Sequence, residues 1–171
     1  IFIMGYIGLA ALVILVWLAF PSVALIAFLG ISLIHFGLGD MIKGAGIEPL
    51  VQTIAHGGMV IGGISLFHKG EVDVIFSYLI DGDTAIIWMF VEQASFVIGL
   101  ALLIYLVMAI ARPALRPRLL EVVCLGFIFY MLPPLAGFAF YFCMVHTPRH
   151  LFRVWRQLNQ LNFSRQSMIT M

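Results

Sequence analysis

Five histidines are the side chains of this sequence best suited to chemistry, and two of them lie four residues apart. His146 and His150 would share one face of a helix, because residues i and i+4 are neighbours on a helical surface. Two imidazoles at this spacing can chelate one metal ion, and imidazole suits iron, copper, zinc and nickel. Pro148 lies between them and should kink the helix, which either aims the pair or spoils its geometry. The pair predicts a metal site.

The composition places these histidines in a lipid bilayer. Of the 171 residues, 63% are apolar and 10% are charged, whereas a soluble domain has about 25% charged residues. The first charged side chain is Asp40, and about 20 apolar residues span a bilayer as a helix. These features exclude a soluble enzyme, a nucleic-acid-binding protein, a disordered chain and a disulfide-linked scaffold. We predict an all-α fold, a polytopic bundle of transmembrane helices.

The apolar segments and the residues that break them predict about six spans in a single domain, residues 1–171. The spans cover about 1–20, 22–39, 50–67, 85–110, 116–132 and 135–155. An amphipathic stretch at 72–80 is expected at the membrane interface. Pro133-Pro134 should divide the last region into a hairpin, because each proline removes a backbone donor and clashes with the preceding turn. The alternative is one long helix.

The arginines favour the hairpin. Basic residues near the ends of spans mark the cytoplasmic side, and only a hairpin places the clusters at 112–118 and 149–165 on the same side. Residues 149–165 are predicted to form a basic amphipathic segment along the cytoplasmic headgroups. The sequence starts inside an apolar segment without Met, so we expect a truncated N-terminus, with the C-terminus as a second candidate for truncation.

With this topology, four histidines fall in the same half of the bilayer. At 1.5 Å per residue, they lie roughly 6–13 Å from the inner ends of their spans; they are His35, His56, His146 and His150. His68 falls at the opposite face, in a solvated connection. Polar groups inside a bilayer are costly and usually mark function. Taken alone, His56 is better explained as a hydrogen-bonded packing residue.

Two carboxylates and several aromatic rings are expected around this site. Asp40 and Glu121 are candidates for accepting hydrogen bonds from imidazole N–H groups, although we favour their interpretation as interfacial charges. Aromatic side chains near the histidines could line an apolar tunnel for a long lipid-like substrate: Phe36, Phe138, Tyr141 and Phe142. Position by position, packing or contact with lipid is the more frequent role of such rings.

Three segments carry a resemblance to a known family. Residues 34–40, 54–58 and 141–150 read IHFGLGD, IAHGG and YFCMVHTPRH. In this order they resemble the motifs of the Brp/Blh family, membrane-embedded bacterial and archaeal enzymes that cleave beta-carotene to retinal. The resemblance covers nearly the whole chain. It implies a multi-pass protein of the inner membrane of a prokaryote.

The resemblance also implies a chemistry. Beta-carotene would be cleaved by O2 at its central double bond into two retinal molecules, with Fe(2+) as cofactor, and the retinal would be available to a microbial rhodopsin. His35, His146 and His150 match the family's iron ligands and are the expected catalytic residues, with His56 as an additional candidate ligand. The family's upstream Pro-His-Gly motif and downstream Pro-His segment are absent from this sequence, and Pro148 replaces a more usual polar residue.

Other functions fit the residues without the resemblance. A membrane haem protein for electron transfer would need two axial histidines on facing helices at the same depth, which His35 and His146 could provide. A transporter or scaffold with incidental histidines would bind no iron. An absorption spectrum and metal analysis separate these alternatives.

Overall fold

A computed structural model describes residues 2–42 and 44–169, with side chains described for 3–42 and 44–159. All the regular structure in these ranges is helical, which confirms the all-α prediction. The helices are α1 (Phe2–Ala19), α2 (Pro21–Asp40), α3 (Glu48–Gly58), α4 (Ile64–Phe67), α5 (Lys69–Ile80), α6 (Ala85–Ala111), α7 (Arg116–Met131), α8 (Pro134–Tyr141) and α9 (Thr147–Ile169). Ile1 of the first predicted span and the side chains of 160–165 in the predicted basic segment lie outside the described residues.

Two pairs of these helices are continuous through a π-helical turn. Met59–Gly63 joins α3 to α4, and Phe142–His146 joins α8 to α9. A 3-10 turn, Pro113–Leu115, precedes α7. The long helical segments overlap the predicted spans, although the last one continues beyond residue 155 to Ile169. The stretch predicted to be amphipathic lies within α5.

Within the described residues, three helices are long and apolar enough to cross a membrane. They are Pro21–Asp40, Glu48–Phe67 and Ala85–Ala111. Another apolar helix, Ile3–Ala19, is shorter. Length and composition thus support three of the six predicted spans, and the other three stay predictions.

The predicted break at Pro133-Pro134 is confirmed, because α7 and α8 are separate helices on its two sides. The hairpin brings the two basic clusters to one end of the bundle. Arg149 Nη2 lies 2.5 Å from Glu121 Oε2, and the same carboxylate oxygen lies 3.0 Å from Arg118 Nη1. A single long helix would have separated these arginines by the thickness of the bundle.

α2 and α3 pack with their backbones almost in contact. A Cβ on Gly37 would lie 2.0 Å from the carbonyl oxygen of Thr53, and a Cβ on Gly57 would lie 1.8 Å from that of Leu33. Both distances are far below any real contact, so only glycine fits at these two positions. Small residues allow such close helix packing inside membranes. This contact places the helix that carries His35 directly against the helix that carries His56.

Three apolar clusters hold the other helices. The first packs α5 between α2 and α6, with Phe76 against Trp88 at a ring-centroid distance of 5.6 Å. The second joins α2, α4, α7 and α8 around the fully buried Phe129. The third joins α3, α6 and α7 around the fully buried Tyr105. These contacts position the helix ends that carry the histidines.

His68 differs from its prediction as a solvated residue. It lies between α4 and α5, and 16% of its side chain is exposed. Its Nε2 lies 2.8 Å from the carbonyl oxygen of Phe129 on α7. The ring therefore joins the end of α4 to α7, because the break in the helix turns the side chain inward.

Asp73 joins α5 to the beginning of α6. Its Oδ1 accepts hydrogen bonds from Thr84 Oγ1 at 2.5 Å and from Trp88 Nε1 at 2.6 Å. These hydrogen bonds hold the pKa of Asp73 below its usual value, because they favour the ionised carboxylate. Since an unfolded Asp titrates at about 3.9, the resulting stabilisation is complete above that pH. It is lost as the pH falls through the lower pKa of the folded state.

We expect Asp73→Asn to reduce the loss of stability on acidification, because the substituted side chain cannot titrate. Thermal unfolding in detergent between pH 7 and pH 3, followed by circular dichroism, measures this. Asp81→Asn is the control and should keep the wild-type pH dependence, since Asp81 accepts no hydrogen bond from the described side chains. Parallel curves for wild type and Asp73→Asn would contradict the prediction.

Candidate metal centre

His35 and His146 form the nucleus of the site. His35 lies on α2 and His146 ends the π-helical turn before α9, and their ring centroids are 5.4 Å apart. The Nδ1 atom of His146 is buried and has no hydrogen-bond partner in the described part of the chain. Buried polar atoms are nearly always paired. An unpaired imidazole nitrogen beside a second imidazole is a donor set that fits a metal ion.

His150 follows on the same continuous helix. In a regular α-helix a proline ring clashes with the carbonyl four residues earlier, and for Pro148 that carbonyl belongs to Met144, within the π-helical turn. The turn is wider, because its closing N–H bonds to the carbonyl five residues earlier. The π turn ends at His146, two residues before Pro148, and the helical segment continues without a break from His146 to His150. Such turns are frequent at functional sites.

The site lies at the edge of the described bundle. The side chains of His35 and His150 are exposed, and that of His146 is half-buried. The structure thus brings His35 and His146 into ring contact and places His150 one helical turn further on. The side of the site formed by His35 and His150 is open in the described residues.

Aromatic rings cover the buried side of His146. Their centroids lie 5.0 Å from the imidazole for Phe36, 5.7 Å for Phe142 and 6.0 Å for Tyr141. Phe138 packs against Phe36 at 6.0 Å. The four aromatic residues selected from the sequence therefore form one cluster beside the histidine.

An apolar groove of about 340 Å³ reaches this cluster. α2, α4, α5 and α8 form its walls, and its lining is almost entirely apolar. Phe36 and Phe138 contribute to the lining, and Phe36 also contacts His146. One aromatic ring thus separates the groove from the histidine. The volume lies within the range of about 300–1,000 Å³ that is usual for small-molecule sites.

His56 lies in different surroundings. It is 2% exposed, and its Nε2 lies 3.4 Å from the hydroxyl oxygen of Tyr105. Potential ligand atoms of His56, Asp40 and Glu121 lie within 4.8 Å of one another. Among the described rings, His56 contacts Tyr105 and neither His35 nor His146. Its assignment as an additional iron ligand stays a prediction.

Asp40 is an enclosed carboxylate, and its position at the membrane interface stays a prediction. It is 2% exposed, accepts a hydrogen bond of 2.7 Å from the Tyr141 hydroxyl, and lies 2.9 Å from Arg149 Nη1. Glu121 is half-buried and lies 2.5 Å from Arg149 Nη2. Neither carboxylate accepts a hydrogen bond from an imidazole in the described structure. Tyr141 is itself fully buried, so its hydroxyl holds Asp40 rather than facing the groove.

Asp40, His56 and Glu121 have the residue types of a second metal site. However, the guanidinium of Arg149 already lies between the two carboxylates, and Arg118 also pairs with Glu121, so two positive charges balance two negative ones. A divalent cation there would have to displace this ion pair or sit beside a positive charge. We therefore interpret the cluster as an ion-pair network next to the histidine site.

Arg149 and Tyr105 were not among the sequence candidates. Arg149 belongs to the predicted headgroup segment, yet only 25% of its side chain is exposed. The sequence did indicate a possible role for Arg149. This residue lies between two histidines within a predicted span and has the opposite charge to Asp40 and Glu121. Tyr105 lies in the middle of an apolar helix, and nothing in the sequence distinguishes it.

Comparison with known proteins agrees with the resemblance. A family model described as "Beta-carotene 15,15'-dioxygenase" matches residues 1–171. A beta-carotene 15,15'-dioxygenase from uncultured marine bacterium 66A03 is 35% identical over 170 residues, which are 96% of this chain and 59% of that protein. The chain thus spans about three fifths of this curated relative. No solved structure matches the chain. Because the family model covers the whole sequence, the chain belongs to the beta-carotene 15,15'-dioxygenase family.

Proposed function

We propose that the protein cleaves beta-carotene at its central double bond, with O2 as co-substrate and Fe(2+) as cofactor, to give two retinal molecules. The observation that carries this proposal is the contact between the rings of His35 and His146 beside Phe36, which also lines an apolar groove. Membership of the family and the name of the marine relative support the same reaction.

His35, His146 and His150 are the residues that would hold the iron. The unpaired Nδ1 of His146 supports this assignment, because a buried nitrogen without a partner is available as a ligand. Neutral imidazoles leave the full positive charge on a bound ion. When bound, iron(II) supplies the redox chemistry that activates dioxygen.

The groove would bind the polyene. Its apolar walls suit a long hydrocarbon, and they keep water away from the reacting double bond. Phe36 lies between the groove and His146, so its ring would set how closely the polyene approaches the histidines. Phe138 would stack against the conjugated chain.

The environment that fits this reaction is a membrane in which carotenoids dissolve. The apolar helices support a membrane protein, and we propose a multi-pass protein in the inner membrane of a prokaryote. The substrate would then enter the groove from the lipid. A microbial rhodopsin as the recipient of retinal stays a prediction.

The haem alternative is less well supported by the packing. Phe36, Tyr141 and Phe142 surround His146 closely, and the ring contact with His35 suits a compact ion better than a porphyrin. A Soret band in the spectrum of the purified protein would favour haem over a single iron ion.

Expression of the intact protein in a bacterium that makes beta-carotene tests the proposed function. We expect the cells to lose their orange colour and retinal to accumulate, as measured by chromatography of pigment extracts. Cells with an empty vector should keep their carotene. Unchanged carotene in cells that produce folded protein would contradict the proposal.

Filling the groove should separate substrate binding from metal binding. Ser32 lines the groove one helical turn before Phe36, so Ser32→Trp would place an indole in the path of the polyene. We expect retinal formation to fall by about tenfold or more, equivalent to 1.4 kcal/mol, while the iron content stays at the wild-type level.

The matched control is Val97→Trp on the exposed surface of α6, which should leave both quantities unchanged. Wild-type retinal formation by Ser32→Trp would show that the groove is not the substrate site. Loss of iron would instead show that the substitution disturbs the histidines.

A further inference from the structure

We propose that Arg149, held between Asp40 and Glu121, is a positioning residue for the two histidines that flank it in the sequence. This inference rests on the proposed function, because it assumes that these histidines hold the metal. It assigns a role to the buried ion-pair network beside the site, which the proposed reaction itself does not use.

A single guanidinium ties three helices together. Arg149 Nη1 lies 2.9 Å from Asp40 Oδ1 at the end of α2, and Nη2 lies 2.5 Å from Glu121 Oε2 on α7. The planar fork of arginine can bind two carboxylates in fixed directions, whereas an ammonium acts as a point charge. Both contacts are ion pairs by distance, and neither Arg149 Nη1 nor Asp40 Oδ1 makes a hydrogen bond in the described structure. The charge of the guanidinium therefore attracts the start of α9 to α2 and α7.

The tie lies close to the metal ligands on both helices. Arg149 is the residue before His150 and lies three residues after His146, while Asp40 lies five residues after His35 on α2. The ion pair thus connects the two histidine-bearing helices about one turn away from the ring contact. A shift of Arg149 would move the rings on α9 relative to the ring on α2.

Two hydrogen bonds support the ion pairs at the same place. The Tyr141 hydroxyl donates to Asp40 Oδ2 at 2.7 Å from the turn before His146. Arg153 Nη2 donates to the Gly39 carbonyl oxygen at 2.5 Å from a position two turns after His146. The end of α2 is therefore hydrogen-bonded to residues that lie before and after His146 in the sequence.

The backbone needs this support more here than elsewhere. The π-helical turn Phe142–His146 interrupts the regular hydrogen-bond ladder, and Pro148 contributes no N–H to it. Side-chain bonds to α2 and α7 limit the movement that this weakened ladder would allow.

Loss of the guanidinium should have a large local effect. Only 1% of the Asp40 side chain is exposed, and removing one partner of a buried ion pair leaves an uncompensated charge. In Arg149→Ala, Asp40 would lose its ion-pair partner, while Glu121 would keep its contact with Arg118. The ends of α2 and α7 would then separate from α9.

Metal titration of the intact purified protein tests this role. After chelation of bound metal, Co(2+) is added and its ligand-field absorption gives both affinity and coordination. We expect Arg149→Ala to weaken Co(2+) binding by about 10–100-fold, the range for residues that orient metal ligands, and to alter the spectrum. Arg149→Lys keeps the charge without the fork and should be intermediate.

Hydrogen exchange of the metal-free protein is a second readout that is independent of activity. Exchange of the amides in 142–150 should accelerate in Arg149→Ala. The matched control is Glu92→Gln, which removes an exposed ion pair with Lys69 of 2.8 Å and should change neither measurement.

The outcomes separate the two proposals. Wild-type Co(2+) affinity and exchange in Arg149→Ala would overturn the positioning role while leaving the proposed function intact. If Arg149→Ala does not fold, Arg149→Lys tests the positioning role instead. Wild-type Co(2+) affinity in Arg149→Lys would overturn the role, and reduced affinity would support it. A wild-type protein that binds no metal would overturn both proposals.

Discussion

Replacement of His146 by alanine is expected to abolish both iron binding and carotene cleavage. His146 is in contact with the ring of His35, precedes His150 by one helical turn, and has a buried Nδ1 without a hydrogen-bond partner among the described residues, as His56 does. Mutation of residues that orient a metal ligand typically weakens metal binding by about 10–100-fold. Loss of the ligand itself should weaken metal binding by more than this range. Iron analysis of the purified protein and pigment extraction from carotene-producing cells measure the two effects.

His68→Gln is the control for this experiment. His68 also lies at a helix boundary, but its ring bonds to the Phe129 carbonyl on α7, away from the ring pair. The variant should lose some thermal stability and keep iron and retinal formation. Full iron content and cleavage in His146→Ala would show that the paired histidines do not hold the metal.

The same assay tests the assignment of His56. In the structure His56 contacts Tyr105 and lies near Asp40 and Glu121. Binding of the same metal ion as His35 and His146 would require a movement of His56 or a network that it shares with the two carboxylates. Complete loss of iron in His56→Ala, with the fold retained, would make it a ligand. Retained iron would place it with the ion-pair network.

Gly57→Ala is expected to destabilise the protein more than any other single addition of a methyl group to α3. The new Cβ would lie 1.8 Å from the Leu33 carbonyl oxygen, which belongs to the backbone of α2 and cannot rotate away. Overpacking usually costs about 1–3 kcal/mol, and a clash between two backbones should reach the upper end of that range or prevent folding. The helices that carry His35 and His56 would have to separate.

Thermal unfolding and size-exclusion profiles of the purified protein measure the effect of Gly57→Ala. Gly99→Ala on α6 is the matched control, because no atom lies within 4 Å of the added Cβ. It should be neutral or slightly stabilising, since alanine has the higher helix propensity. Equal unfolding temperatures for the two variants would contradict the close packing of α2 on α3.

The helices and their boundaries could be predicted because their causes are local. Long apolar segments form helices in a bilayer, and Pro133-Pro134 cannot lie within one regular helix. The arginine clusters predicted that the last two long segments fold back on each other, and the ion pairs of Glu121 confirm that these clusters meet. The spacing of His146 and His150 is local too, since four residues make one helical turn.

The partners of the polar side chains depend on how each helix is rotated about its axis. α2 and α6 are apolar on all sides, so the periodicity that shows a buried face in a soluble protein is absent. Packing of small residues such as Gly37 and Gly57 sets that rotation instead. The sequence by itself determined an all-helical membrane architecture and a histidine pair suited to a metal. Only the tertiary structure decided that His35 meets His146, that His56 joins the carboxylates and that Arg149 binds Asp40 and Glu121, because each contact joins residues from different helices.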